Sequence, residues 1–394
     1  MTIYIMVHRV ADHSWILFSF LFYVNLHIRS LCSVCMYVSG LISLTMSVGF
    51  QVYEMVKETV KYLAGVAGPS GFGSNTIAEE VLEVEYSSCS HPCLTAIITG
   101  ATSGIGAETA RVLAKRGVRI VIPARDLKKG YQVKEKILKE NPEAEIILLE
   151  IDLCSFSSIQ LFCSQFLSLN LPLNILINNA GKFANKMELC EEKVEMTFAT
   201  NYLGHFLLTE LLMEKMAETA AETKIQGRIV NVSSVIHSWV KRHHFYFNQM
   251  LQPSNYNSTR AYAQSKLANI LHAKELARQI KQQLRKVNIT VNAIHPGIVK
   301  TEIIRDHKGF ITDSLFFMTS KFLKSIPQGA STTCYVATSP QMEGVSGKYY
   351  ADCNEMQCSL LANDDAQALD LWRQTRAFIR QRLRRQHREL KHFA

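Results

Sequence analysis

Residues 94–117 leave this chain few ways to fold. Leu94-Thr-Ala-Ile-Ile-Thr99 is an apolar run of strand length that passes directly into Gly100-Ala-Thr-Ser-Gly104-Ile-Gly106. Ala107, Ala110, Val112, Leu113 and Ala114 then recur at helical spacing, and Gly117 ends the pattern. A buried strand, a glycine turn and a helix in direct succession form the first unit of a parallel α/β sheet. The glycines let backbone come close to a pyrophosphate, and the helix start offers it unpaired N–H groups. The spacing here is Gly-x-x-x-Gly-x-Gly.

The pattern repeats downstream. Strand-like runs at Arg119–Ala124, Glu145–Ile151, Leu173–Ile177, Gly227–Val232 and Asn288–Ile294 alternate with helical stretches, among them Leu127–Glu140 and Met196–Leu212. Right-handed crossovers then give a doubly wound sheet. Ligands gather at the C-terminal ends of such strands. Ala124 stands at the end of the second strand, where an acid would hold a ribose 2′-OH, and Arg125 follows it. A guanidinium there suits a 2′-phosphate, which predicts NADP(H) in preference to NAD(H). Asp126 reads as the N-cap of the next helix. Asp152, just past the third strand, can accept from an adenine amino group. The fourth strand runs into Asn178-Asn179-Ala180-Gly181 and the fifth into Ser233-Ser234, where a serine can donate to a substrate oxygen.

Thr259-Arg-Ala-Tyr262-Ala-Gln-Ser-Lys266 opens a helix continued by Leu267, Ala268, Ile270, Leu271 and Leu276. Tyr262 and Lys266, four apart, share one helix face. An ammonium near a phenol favours the phenolate, so the tyrosine pKa is expected to fall from about 10 toward neutrality. That makes an acid/base group for an alcohol or carbonyl oxygen. A buried Asn201 in the Met196 helix is costly unless its amide is bonded. His237, His243, His244 and His295 are not at ligand spacing, so no metal site is predicted.

Thr99-Gly-x-x-x-Gly-x-Gly106, Asp152, Asn178-Asn-Ala-Gly181, Asn201, Ser234, Tyr262-x-x-x-Lys266 and Pro296-Gly297, in this order, resemble the short-chain dehydrogenase/reductase family over residues 94 to about 350. Within it the chain is similar to the plant proteins related to the chloroplast inner-envelope translocon dehydrogenase, with which Gly68-Pro-Ser-Gly-Phe-Gly73 is also shared, and to retinol dehydrogenases and WW-domain oxidoreductases. The resemblance implies one Rossmann domain, 94–352, with a mostly parallel seven-stranded sheet. It implies catalysis by Asn201, Ser234, Tyr262 and Lys266. Tyr262 would be the acid/base, Lys266 would lower its pKa and bond the nicotinamide ribose, and Ser234 rather than Ser233 would polarise the substrate. Asn201 would hold a water linking Lys266 to bulk. Gly100, Thr102, Ser103, Gly104, Ile105 and Gly106 would line the pyrophosphate, Asp152 and Leu153 the adenine, and Asn179, Ala180 and Gly181 the adenosine ribose. Pro296, Gly297 and Thr301 would flank the nicotinamide. A homo-oligomer is a further expectation.

The 27 residues between Ser234 and Tyr262 carry Trp239, Phe245, Tyr246, Phe247, Met250 and Leu251. They read either as an apolar substrate wall or as an excursion packing on itself. The stretch from Arg305 to Lys324, with Phe310, Leu315, Phe316, Phe317 and Phe322, resembles the family's substrate lid. Together they favour a bulky lipophilic carbonyl or alcohol as the small-molecule substrate.

The flanks differ from this body. Residues 1–54 are hydrophobic, with apolar runs at Trp15–Leu26 and Leu31–Tyr53 long enough for a membrane anchor over 14–53, or else a leader. Residues 55–93 read as a Gly/Pro/Ser-rich linker with a short helical piece. The location that fits is an organelle membrane or the chloroplast envelope, otherwise the cytoplasm. Residues 353–394 read as a basic helix. Arg373, Arg376, Arg380, Arg382, Arg384, Arg385, Arg388 and Lys391 against Glu389 supply +7 of the formal +9, so the body is nearly neutral and no nucleic-acid partner is indicated. Its Leu369, Trp372, Phe378, Ile379, Leu383 and Leu390 make it amphipathic, which suits calmodulin or acidic lipid at 373–391, or a solvated helix. The ten cysteines show no zinc spacing and read as reduced thiols. A second reading is a cofactor-binding regulatory or scaffold subunit at a membrane, with turnover incidental.

Overall fold

In the computed structural model, residues 57, 59–86, 94–283, 287–299 and 323–393 are described. The apolar N-terminal runs, Thr301, the lid-like stretch up to Phe322, and Cys32, Cys35, Cys89 and Cys93 lie outside them. The chain forms two compact units, residues 1–65 with 309–321, and residues 66–308 with 322–394. The second carries the fold and the site.

Ten strands are described: β1 Thr95–Ile98, β2 Arg119–Ala124, β3 Ile146–Glu150, β4 Ile175–Asn178, β5 Gly227–Val232, β6 Ile289–His295, β7 Ile298–Val299, β8 Leu323–Lys324, β9 Tyr349–Ala351 and β10 Asn354–Glu355. Eight make the main sheet, in the order β10-β9-β6-β5-β4-β1-β2-β3. Every pairing in it is parallel except β9 with β10. The order reverses between β1 and β4, which opens a crevice at their C-terminal ends. The expected seven strands become eight because a two-residue turn, Asp352-Cys353, folds β10 back on β9. Both turn residues have positive φ, +52° and +62°, the conformation of the tightest hairpin turns, and neither is the Asn or Gly that announces one.

Side chains alternate across the sheet. Ile97, Val121, Leu176, Ile229 and Val291 face one apolar layer. Ala96, Ile98, Ile120, Ile122, Ile177, Val230 and Ile294 face the other. The second layer is covered by α1 Ala78–Tyr86, α2 Gly104–Lys115 and later α8 Ile326–Thr338. α3, Leu127–Glu140, starts where Asp126 caps it, its carboxylate accepting from Lys128 N and Lys129 N at 3.0 and 3.3 Å. The first layer is covered by α4 Phe156–Ser168, by α5, which begins at Met196–Phe198, widens into a π-turn at Ala199–Leu203 and continues over Gly204–Thr223, and by α7 Ser258–Gln283. The short α6, Phe247–Leu251, and the C-terminal α9, Asp365–Phe393, pack outside these.

Two readings of the flanks change. The stretch 66–86 is part of the domain. Ala78, Val81 and Leu82 are fully buried, and Phe72 packs edge-on against Tyr335 at 5.9 Å. Gly68 serves close approach, for a Cβ there would meet the Asn354 side chain at 2.4 Å, and Gly71 serves a turn with φ of +84°. Asn354 in turn accepts from Ser70 N at 3.0 Å and donates to Phe72 O at 2.9 Å. The aromatic insert before Tyr262 is mostly core. Phe245, Phe247 and Met250 are buried, Phe247 lies between Phe198 and Phe378 at 6.3 and 6.0 Å, and Val235, Trp239 and Tyr246 stay exposed. The apolar side of α9 is the partner of that insert. Leu371 and Ile379 are buried, Tyr202 and Thr375 hydroxyls bond at 2.9 Å, and Arg376 pairs with Glu210 at 3.0 Å. Arg373, Arg380, Arg384, Arg385 and Arg388 remain on its exposed side.

Candidate active site

The glycine turn is shaped for backbone contact. Gly100 and Gly104 have φ of +67° and +54°. A Cβ on Gly100 would lie 2.7 Å from Ala180 Cα, and one on Gly106 would lie 2.4 Å from Asn179 Nδ2. The turn therefore fits flat against the Asn179-Ala180-Gly181 loop. Asn179 Nδ2 donates to Thr99 O at 2.8 Å, and the amides of Asn179 and Ala180 both donate to Thr99 Oγ1 at 2.9 Å. Ser103, the N-cap of α2, makes no capping bond, so the first amides of the helix keep no side-chain acceptor. This narrow, uncapped helix start suits a dinucleotide's pyrophosphate. Thr102, Ser103, Gly104 and Ile105 lie on this turn, and Ile105 touches the site where a Cβ of Gly329 in α8 would fall, at 3.2 Å.

Along the sheet edge, Arg125 follows β2, is exposed, and forms no ion pair among the described residues. Asp152 follows β3 and accepts from Cys154 N at 2.9 Å through one oxygen, leaving the other open. Leu153 is buried against Gly204, where a Cβ would meet its carbonyl at 2.3 Å. Pro296 and Gly297 follow β6, and Gly297, with φ +87°, packs on the Lys324 stem. Thr301 is outside the described residues.

The chemical half is held together by β5, the π-turn and α7. Lys266, 3% exposed, directs Nζ at Val232 O, 3.0 Å away. Its ammonium lies 5.5 Å from the Tyr262 ring centre. Ser265 Oγ donates to Tyr262 O at 2.7 Å and accepts from Asn201 Nδ2 at 2.9 Å. Asn201 is satisfied on both ends. Its Oδ1 accepts from Lys182 N at 2.7 Å, and its Nδ2 also donates to Lys182 O at 3.0 Å. The two serines separate by chemistry. Ser233 Oγ gives its hydrogen to Lys266 O at 2.7 Å, tying β5 to α7. Ser234 Oγ accepts from Ile236 N at 3.4 Å, so its own hydrogen is free to donate.

The expected fall in the Tyr262 pKa is reversed. Burial pushes the phenol up to about 12 and brings Lys266 down to about 8. Desolvation disfavours the charged form of each, and it outweighs the pairing that sequence spacing suggests because Nζ is aimed at a carbonyl. Neighbours that sequence spacing did not single out are Phe183, its ring 5.1 Å from that of Tyr262, and His205, bonded to both Thr99 and Asn201. Among the described residues no group of three His, Cys, Asp or Glu side chains could hold a metal, and no helix is long and apolar enough to cross a membrane. Cys154, Cys163, Cys190, Cys334 and Cys353 are buried free thiols.

Comparison with known proteins identifies relatives over most of the chain. Residues 94–245 match the family model for short chain dehydrogenase. Short-chain dehydrogenase TIC 32 B, chloroplastic, of Brassica napus is 46% identical over 322 residues, covering 82% of this chain and 96% of the relative. Human retinol dehydrogenase 14 is 38% identical over 293 residues, covering 71% and 84%. Among solved structures, a putative uncharacterized protein from Mycobacterium paratuberculosis superimposes with a TM-score of 0.56 at 27% identity, covering 75% of this chain and 97% of its own. An actinorhodin polyketide ketoreductase determined with NADPH shares the fold, with a TM-score of 0.51 at 24% identity over 65% of this chain and 94% of its own. With a glycine turn seated on the Asn-Ala-Gly loop, a serine with a free hydrogen and a tyrosine–lysine helix on one sheet edge, the chain belongs to the short-chain dehydrogenase/reductase family of oxidoreductases acting on CH–OH and C=O groups.

Proposed function

We propose that the chain reduces a lipophilic carbonyl with NADPH, Tyr262 supplying the proton. The observation that carries this is the division of labour at the end of β5, where Ser233 is committed to Lys266 O while Ser234 keeps a hydrogen to give. Held on the glycine turn of Gly100, Gly104 and Gly106, a nicotinamide dinucleotide would supply the hydride. Ser234 donates to the substrate oxygen and Tyr262 delivers its phenolic proton to it. Lys266 steadies the developing phenolate, and the Asn201 carbonyl holds the water that returns a proton toward Lys266. Burial pushes the Tyr262 phenol up to about 12, so at neutral pH it holds the proton that a reduction would draw on.

NADPH over NADH rests on Arg125, exposed at the end of β2 with Ala124 before it. The open oxygen of Asp152 would take the adenine amine. A lipophilic substrate is supported by Phe183 beside Tyr262 and by the retinol dehydrogenases among the relatives. The buried insert no longer supports it. Coupled assays with NADPH and NADH over a panel of aldehydes, ketones and alcohols test this reading. Turnover of lipophilic aldehydes that is lost in Tyr262→Phe while NADPH still binds is the expected result. Turnover of small polar carbonyls alone, or a lower KM for NADH, would overturn the substrate or the cofactor choice.

The exposed arginines of α9 favour a second reading, in which the chain is a cofactor-binding subunit at an anionic surface. A chloroplast location, suggested by the chloroplastic relatives, is compatible with both. Since the apolar side of α9 is already packed, a partner there would meet arginines alone, whether acidic lipid or calmodulin. Retained biological activity in Tyr262→Phe would decide for the second reading.

A further inference from the structure

His205 lies one helical turn after Asn201, is buried, and touches both halves of the site. Its Nδ1 is 3.0 Å from the Asn201 carbonyl oxygen and its Nε2 is 2.8 Å from Thr99 Oγ1. A carbonyl oxygen only accepts, so Nδ1 carries the ring hydrogen and Nε2 is the acceptor. The single hydroxyl hydrogen of Thr99 then points at Nε2, since its other acceptor, Ile177 O, is farther at 3.3 Å. That leaves both lone pairs of Thr99 Oγ1 for the amides of Asn179 and Ala180, 2.9 Å each. One directed chain of hydrogen bonds thus runs from the loop that seats against the glycine turn, through Thr99 and the imidazole, to the π-turn carbonyl. A π-turn loosens the regular i→i+4 ladder, and the ring hydrogen of His205 fixes the carbonyl within it.

We propose that His205 is a positioning residue of the reaction, holding the Asn201 carbonyl through Nδ1 and, through Thr99, the Asn179-Ala180 amides that frame the dinucleotide site. This rests on the reading that the Asn201 carbonyl holds the water of the proton path. Burial keeps the ring neutral, its pKa down to about 4. A proton on Nε2 would compete with the Thr99 hydrogen and force it away from the ring. The device needs the neutral Nδ1–H tautomer throughout the working range.

Two substitutions cut the chain at different links. His205→Asn keeps an amide nitrogen near the place of Nδ1 and removes the partner of Thr99. His205→Gln keeps a polar atom near the place of Nε2 and gives up the hydrogen at Nδ1. A lost buried hydrogen bond is worth about tenfold. His205→Asn is expected to weaken NADPH binding, read by fluorescence titration, about tenfold with kcat within about threefold. His205→Gln is expected to do the reverse. Equal losses in both parameters for both variants, or no loss in either, would overturn the proposal. Nitrogen-15 NMR of the wild-type ring decides independently of how the variants fold. A protonated Nδ1 and a bare Nε2, unchanged from pH 5.5 to 8, are expected, and a protonated Nε2 or a titration in that range would refute it. A wild-type protein that turns over no carbonyl or alcohol would sink the functional reading, while the NMR result would still judge His205.

Discussion

Replacing Lys266 by Met should stabilise the folded protein at neutral pH while abolishing turnover. Lys266 is 3% exposed, and burial lowers its pKa from 10.5 to about 8. A drop of that size corresponds to ~3 kcal/mol of folding free energy, since each pH unit is worth about 1.4 kcal/mol. For a cation whose folded pKa is depressed, the unfolded chain binds more protons between the two values. The penalty is therefore full below about pH 8 and fades as pH rises toward 10.5. Met matches the stem and carries no charge. Its one lost hydrogen bond leaves little unsatisfied, because Val232 O still accepts from Asn269 Nδ2 at 3.0 Å. With ~1 kcal/mol subtracted for that bond, a net gain of ~2 kcal/mol remains. In a domain of this size that raises Tm by roughly 3 °C. Melts of the cofactor-free protein followed by circular dichroism at pH 7 and pH 10 would measure it. A gain at pH 7 that vanishes by pH 10 is expected. A lower Tm at pH 7, or a gain that persists at pH 10, would show that the ammonium is not held against its solvation.

Ser234→Ala should cut kcat about 100-fold with Tm unchanged, whereas Ser233→Ala should cost about 1–2 kcal/mol of stability in denaturant melts and spare most of kcat. Gly106→Ala forces a methyl against Asn179 Nδ2 and Gly100 O, both 2.4 Å away, and should weaken NADPH binding ~10-fold or more by titration. Because Tyr262 must be protonated for reduction and ionised for oxidation, alcohol oxidation should climb with pH from 7 to 10. Carbonyl reduction should hold level up to about pH 8 and fall above it as Lys266 loses its proton. Phe247→Ala should cost about 3–5 kcal/mol in stability yet leave KM for a lipophilic aldehyde nearly unchanged, since the ring packs between Phe198 and Phe378.

The six central strands could be read from sequence because each is short, rich in apolar residues and closed by polar or small ones, even where Arg228, Asn231, Thr290 and Asn292 interrupt β5 and β6. Asp152, Asn179 and Ser234 are legible as candidates from their places at strand ends, and Tyr262 from its helical spacing to Lys266. What stayed hidden depends on partners far along the chain. His205 acquires its meaning from Thr99, 106 residues away. Gly68 looks like a flexible linker residue until Asn354 stands against it. The aromatics of residues 239–251 announce an apolar surface without saying whether a substrate or α9 covers it. The Tyr262–Lys266 spacing brings two groups near one another, but only the fold determines how much water each loses, and that sets the sign of both shifts.

The close fit of Gly68 and Phe72, followed by the burial of Ala78, Val81 and Leu82, has a bearing on where this protein can be cut. The family model begins at Leu94, whereas the folding unit begins near Val66, and the relative aligned over 322 residues of this chain must also reach upstream of Leu94. A shortened chain starting at the first strand would uncover the oily flank of α2 and α8 and tend to clump. The border of the folded domain thus lies about thirty residues ahead of the family model's, and anyone trimming the gene should follow the domain.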